Sequence, residues 1–226
     1  MVFGLKKFLF KGGAASPADL PEDVRLALEA WRASKAPGLD EPHFHARYVV
    51  IDIATSGPRA AEDDLLGIAA LGLRKGAIVP EDAFALDLFA EESEKVDDAA
   101  VDRQLMAFLT YAAKAPFVSY HGPFVAGFLQ RAFKERLGVD FQPQWIDLAW
   151  LLPSLFNEKS QVTLPLDDWL EMFGIAGNER RDTMANTLML ARLFQMLLVR
   201  ATARDLTTAG KLVEESQAAT FLRRNH

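Results

Sequence analysis

Residues 47–57 (RYVVIDIATSG) constrain this chain more than any other stretch. Tyr48, Val49, Val50 and Ile51 form a β-branched and aromatic run, the pattern of a strand buried on both faces. Asp52 follows at the C-terminal end of that strand, and Thr55-Ser56-Gly57 turns the chain away. A carboxylate held by a rigid central strand suits hard divalent cations, which prefer oxygen ligands. Asp is also a common strand terminator, so the stretch alone fits a structural role equally.

The rest of the sequence arranges itself around that strand. Residues 65–73 (LLGIAALGL) read as a second strand, Lys75-Gly76 as a turn, and Ala83 to Phe89 as a third strand, which together make an antiparallel meander. Helical spacing marks Asp97 to Lys114, through Val101, Leu105, Phe108, Leu109 and Ala112. A short buried strand over 117–120 precedes a helix from Phe124 to Leu137, closed by Gly138. Gln144 to Asp147 reads as the last strand, followed by helices over 148–156, 164–173, 182–200 and 203–222. Upstream, Ser16 or Asp19 is placed to cap a helix from about Pro21 to Ala33, with Val24, Leu28 and Trp31 on one face. The order predicts an α/β fold: a mixed sheet of antiparallel meander plus α/β units, flanked by helices. The expected organisation is an N-terminal extension with one amphipathic helix and linker (1–42), a main domain (43–200) and a C-terminal helical tail (201–226).

Three motifs carry a resemblance. The first strand ends Asp52-Ile53-Ala54-Thr55-Ser56-Gly57; the second motif is PFVSYHGPFVAGFL (116–129); the third is RDTMANTLMLARLF (181–194). In order and spacing they resemble the DnaQ-like (DEDDh) 3'-5' exonucleases, the family of the epsilon proofreading subunit of bacterial DNA polymerase III. The resemblance spans roughly residues 45–200 and implies a ribonuclease H-like fold. It also implies a site in which four acids hold two Mg²⁺ or Mn²⁺ ions and a histidine activates water.

Matched position by position, this chain keeps one of those five side chains, Asp52. Ala54 stands where the family has Glu, Val125 and Asn186 where it has Asp, and Arg181 where it has His. His121 and Phe124 match the second motif, where the histidine generally serves structure, and Asp147 matches a strand–helix junction that holds no metal. An arginine stays protonated and cannot act as a general base. One carboxylate cannot offset two dications roughly 4 Å apart. The expectation is a protein with no cofactor, acting as a binding or scaffold module; the alternative is an active Mg²⁺- or Mn²⁺-dependent exonuclease or oligonucleotidase with displaced ligands. Glu62, Asp63, Asp64 and above all Asp182, one turn before Asn186, are the acids available for such a rescue. Arg180 and Arg181 offer an anion site without metal.

Composition narrows the partners. A net charge of -6 is the wrong sign for a surface that binds phosphate throughout, though a local groove for single-stranded nucleic acid remains open. The absence of cysteine excludes thiolate metal sites and disulfides and fits a reducing, cytoplasmic setting. The first residues, with Lys6, Lys7 and Lys11 among apolar ones, lack a small-residue cleavage site and argue against a secretory signal. No membrane span is expected. A protein partner is expected at the N-terminal helix or at the tail carrying Arg223 and Arg224. Alternate spacing puts His43 and His45 on one face, a geometry open to a metal but without an acidic partner nearby in the sequence.

Overall fold

A computed structural model describes residues 16, 19–88, 97–175 and 182–224. Its centre is β1 (Arg47–Thr55), which pairs antiparallel with β2 (Leu65–Arg74) and parallel with β4 (Phe117–Ser119). β3 (Ala77–Asp87) extends the meander on one side and β5 (Trp145–Asp147) lies parallel to β4 on the other, giving the order β3-β2-β1-β4-β5. The mixed five-stranded sheet flanked by helices is the architecture expected from the sequence.

Alternation along β1 divides the core. Val49, Ile51 and Ile53 face one layer with α1 (Glu22–Ala33), α2 (Asp98–Ala112) and α3 (Gly122–Leu137). Tyr48 and Val50 face the other, with α4 (Leu148–Leu155), α5 (Leu166–Met172), α6 (Thr183–Thr202) and α7 (Ala209–Arg224). Asp52 and Ala54 share the alternation of Tyr48 and Val50, and so belong to the α6 side. Thr187 of α6 donates to the Ala69 carbonyl of β2, tying that helix to the sheet.

Several element edges differ from expectation. β3 begins at Ala77 rather than Ala83, because Ala77–Val79 pair with Gly72–Arg74 and a register shift at Leu71/Gly72 takes up the residues between. Pro80, which lacks an N–H, is tolerated there because β3 is an edge strand. Phe89 lies outside the described residues. Neither Ser16 nor Asp19 caps α1, whose N-cap is Pro21 with no side-chain bond. Asp23 and Glu22 sit in its first turn, where negative charge complements the exposed N–H groups. α3 starts at Gly122, after His121 adopts a left-handed backbone (φ 59°). The last helix begins at Ala209, since α6 runs to Thr202 and a turn follows.

The first and last of the described helices dock on the body. Val24 and Leu28 enter the core beside α2, Arg103 grips Asp23 through two bonds (2.7 and 3.2 Å), and Lys114 donates to the Ser34 carbonyl. α7 buries Leu212, Val213 and Ser216, and Ser216 Oγ accepts from the Asp147 amide of β5 at 3.0 Å. None of the described helices is long and apolar enough to cross a membrane.

His43 and His45 do not share a face. His45 is exposed and pairs with Glu41 at 3.3 Å, an acidic partner one helical turn away that the sequence reading passed over. His43 is buried, with Nε2 2.7 Å from the Leu206 carbonyl and Nδ1 2.6 Å from the Tyr48 hydroxyl. A carbonyl only accepts, so Nε2 carries the hydrogen and Nδ1 accepts from Tyr48. Burial lowers the imidazole pKa below its usual 6.5, against the Leu206 carbonyl, which favours the charged form. Below that value the unfolded chain takes up a proton that the native chain resists, so stability should fall as pH drops below 6.5. Urea midpoints measured from pH 7.5 to about pH 5 should show this slope in the wild type and its loss in His43→Gln.

Candidate functional site

The open end of β1, β2 and β3 meets the N-terminus of α6 in a groove of about 520 Å³. Ladder pairing builds its floor: Ala54 lies opposite Gly67, and Gly67 opposite Asp87, so the three form one row across the meander. Asp182 and Met184 close the groove from the helix side. Ala54, one of the positions the family resemblance singles out, lines this groove, and the row shows what position 54 presents to it. A glutamate there would reach into the groove; alanine leaves only a methyl.

Asp52 is largely buried, and its side-chain partner is Asn186, which donates from the first turn of α6. Burial pushes the Asp52 carboxyl up, against the Ile53 amide and the Asn186 side chain, which favour its charged form. The net direction is toward keeping its proton. The fold thus brings Asn186, from the third motif, beside Asp52.

The proposed rescue acids are engaged elsewhere. Asp182 caps α6, its Oδ1 accepting from the Ala185 amide at 2.7 Å. Asp63 accepts from the Arg59 amide at 2.7 Å and folds over Gly57, where a Cβ would stand 2.6 Å from its carboxyl oxygen. Glu62 pairs with Arg59 at 2.6 Å. Asp64 is buried, and its backbone exchanges bonds with Ser56. Glu62, Asp63 and Asp64 close the loop after β1. Asp87 is the groove acid that sequence reading missed; its signal was position, as the last residue of the third strand.

Val125 is 1% exposed and belongs to the core layer of α2 and α3, packed with the Ile51 and Ile53 side of β1. A carboxylate there would replace part of that packing. His121 lies two residues past β4 as the N-cap of α3, its amide donating to Asp147 Oδ1 at 3.0 Å, so both residues hold the turns together. Arg180 and Arg181 lie outside the described residues. Among the described residues, no three histidine, aspartate or glutamate side chains gather to hold a metal. The donors at these positions thus do not fit a pair of divalent cations: one carboxyl, one amide and two alkyl groups.

No protein-family model matches the chain. It is 23% identical over 167 residues to DNA polymerase III PolC-type of Thermotoga petrophila and 24% identical to that of Thermotoga maritima. Each match covers 69% of this chain but only 12% of the polymerase, so the chain spans a small fraction of those relatives. In structure it resembles cell-death related nuclease 4 (TM-score 0.53, 12% identity, 70% of this chain and 66% of that one). It also resembles E. coli exonuclease I in complex with a dA16 oligonucleotide (TM-score 0.54, 12% identity, 70% of this chain and 42% of that one). With the β3-β2-β1-β4-β5 sheet, these likenesses give the chain a DnaQ-like, ribonuclease H-like exonuclease fold.

Proposed function

We propose that this chain is a catalytically silent exonuclease-fold module that binds a partner and does not hydrolyse nucleic acid. The observation that carries the reading is the Asp52–Asn186 pair. A neutral amide donor beside a buried acid satisfies that acid without metal, where two-metal hydrolysis needs further carboxylates to offset the cations. Ala54 and Val125 supply none, and Asp182 works as a helix cap. The apolar framework of the fold is meanwhile intact.

The partner surfaces in this reading are the outward face of α1, where Leu26 is exposed, and the C-terminal helix. Binding of single-stranded nucleic acid without turnover is the second reading, drawn from the oligonucleotide held by E. coli exonuclease I on the same fold. It predicts binding that weakens steeply with salt. The rival is an exonuclease that runs on Mg²⁺ or Mn²⁺ held by Asp52 with Asp87 or Asp182. Single-stranded DNA and RNA oligonucleotides incubated with Mn²⁺ distinguish them. The wild type and Asp52→Asn should both leave the oligonucleotides intact; shortening by the wild type that Asp52→Asn abolishes would sink the proposal.

A further inference from the structure

Backbone bonds strap the turn between α6 and α7 to the chain ahead of β1. The Gly210 amide donates to the Leu39 carbonyl at 2.9 Å, the His43 amide to the Thr207 carbonyl at 3.0 Å, and Pro42 bridges Thr208. The His43 ring completes the strap, buried between the Leu206 carbonyl and the Tyr48 hydroxyl. Tyr48 is 1% exposed, and its ring meets Phe194 of α6 edge-on at 5.0 Å. One imidazole thus joins the central strand to the approach to α7. From there α7 packs on α4 and on β5, the last strand of the sheet, and buries Ala209, Leu212 and Val213.

Nε2 carries a hydrogen toward Leu206 in either protonation state, so an added proton goes to Nδ1. There it turns an acceptor into a donor facing a hydroxyl. The Tyr48 oxygen can accept it, but its own hydrogen then loses Nδ1, the one polar partner of that hydroxyl among the described residues. Burial holds the phenol's pKa above its usual value, so the phenol does not give up that hydrogen instead. A buried O–H without an acceptor and an imidazolium without a counter-ion both disfavour the docked state. The charged side chains on the surrounding segments are engaged elsewhere. Glu41 pairs with His45, and Arg47 and Arg74 with Asp82. Arg204 donates to the Ser154 carbonyl, Lys211 to that of Asp205, and Glu215 accepts from Ser154. Asp40 lies beside Gly210, 3.8 Å from where a Cβ there would stand. Burial and the Leu206 carbonyl set the His43 pKa, with no carboxylate contributing. An opened strap frees the ring to take up the proton, so acid favours the open form below pH 6.5. Asp147, under α7, works the other way: burial raises its carboxyl pKa, and acid favours its buried form.

We propose that His43 is an acid-sensitive latch, whose protonation loosens the strap from the 206–210 turn and lets α7 leave β5 and α4 while the sheet stays folded. The latch is independent of the state of the Asp52 groove. Native-state hydrogen exchange of the full chain tests it at about pH 7.5 and about pH 5, in urea below the unfolding transition, with intrinsic rates divided out. The Gly210, Leu212 and Asp147 amides, which bond to Leu39, Thr208 and Ser216, report the dock. They should exchange through an opening that barely responds to urea and whose equilibrium constant rises at least about fivefold on acidification. The Ile51 amide of β1 should exchange only through the urea-sensitive global unfolding. His43→Gln, which takes up no proton, should abolish the rise. Should that variant not fold, the wild type still decides: the rise must track the His43 ring titration seen by NMR, and not that of His45 or His121. A dock opening as urea-sensitive as that of Ile51, one that ignores pH, or a rise retained in folded His43→Gln would each overturn the proposal.

Discussion

Arg136→Ala is expected to lower the unfolding free energy by roughly 3–5 kcal/mol, the usual cost of leaving a buried charge without its partner. Arg136 is 2% exposed and lies between α2 and α3. Its Nε donates to Asp102 at 2.8 Å and its NH1 to Asp98 at 2.6 Å, while NH2 donates to the Asp98 carbonyl at 2.7 Å. Asp102 is 6% exposed, so removing the guanidinium strands a carboxylate in the core. The double replacement Arg136→Met with Asp102→Leu removes both charges and restores volume, and should recover most of the loss. Urea unfolding of the single and double variants measures the difference. A single variant as stable as the wild type would mean that Asp102 is solvated in solution.

Gly72→Ala is expected to cost about 1–3 kcal/mol from overpacking, with a further loss from the ion pairs that must give way. A Cβ at Gly72 would stand 2.1 Å from Asp82 Oδ2. That carboxyl cannot simply swing aside. Arg47 holds it through Nε and NH2, both at 2.8 Å, and Arg74 through Nε at 3.0 Å. Arg47 is largely buried in this cluster, its guanidinium 4.9 Å from the centre of the Tyr111 ring, and Tyr111 donates to the Asp82 carbonyl at 2.9 Å. The glycine is therefore what lets the bulged edge strand lay Asp82 across β2. Asp82→Ala in the Gly72→Ala background should lose less than the sum of the two single changes, because the clash disappears with the carboxyl. Thermal unfolding of the four proteins in that cycle reads the coupling directly.

The succession of strands and helices was legible because each strand has its own local signature. β1 and β2 are continuous apolar runs, and Gly138 and Gly174, with φ of 62° and 66°, terminate helices where the sequence placed them. What failed locally was settled at a distance. Ala77–Val79 looks like part of a turn until its pairing with β2 is known, and Pro80 is permitted only by its place at the edge. The site divides the same way. Asn186 stands beside Asp52 because the N-terminus of α6 docks on the end of β1. The fate of Asp63, Asp64 and Asp182 was not legible, because each is held by a backbone group whose position depends on the loop or cap it forms. Asp147 was visible as a strand–helix junction, but the bonds its carboxyl and amide make needed the approach of α3 and α7. Asp87 needed the register of three strands.

The central claim is that one acid paired with an amide cannot hold two divalent cations. Calorimetric titration of the full chain with Mn²⁺ tests it most directly, with Asp52→Asn titrated alongside. The account predicts no saturable binding beyond weak heats that Asp52→Asn leaves unchanged; two tight sites abolished by Asp52→Asn would contradict it.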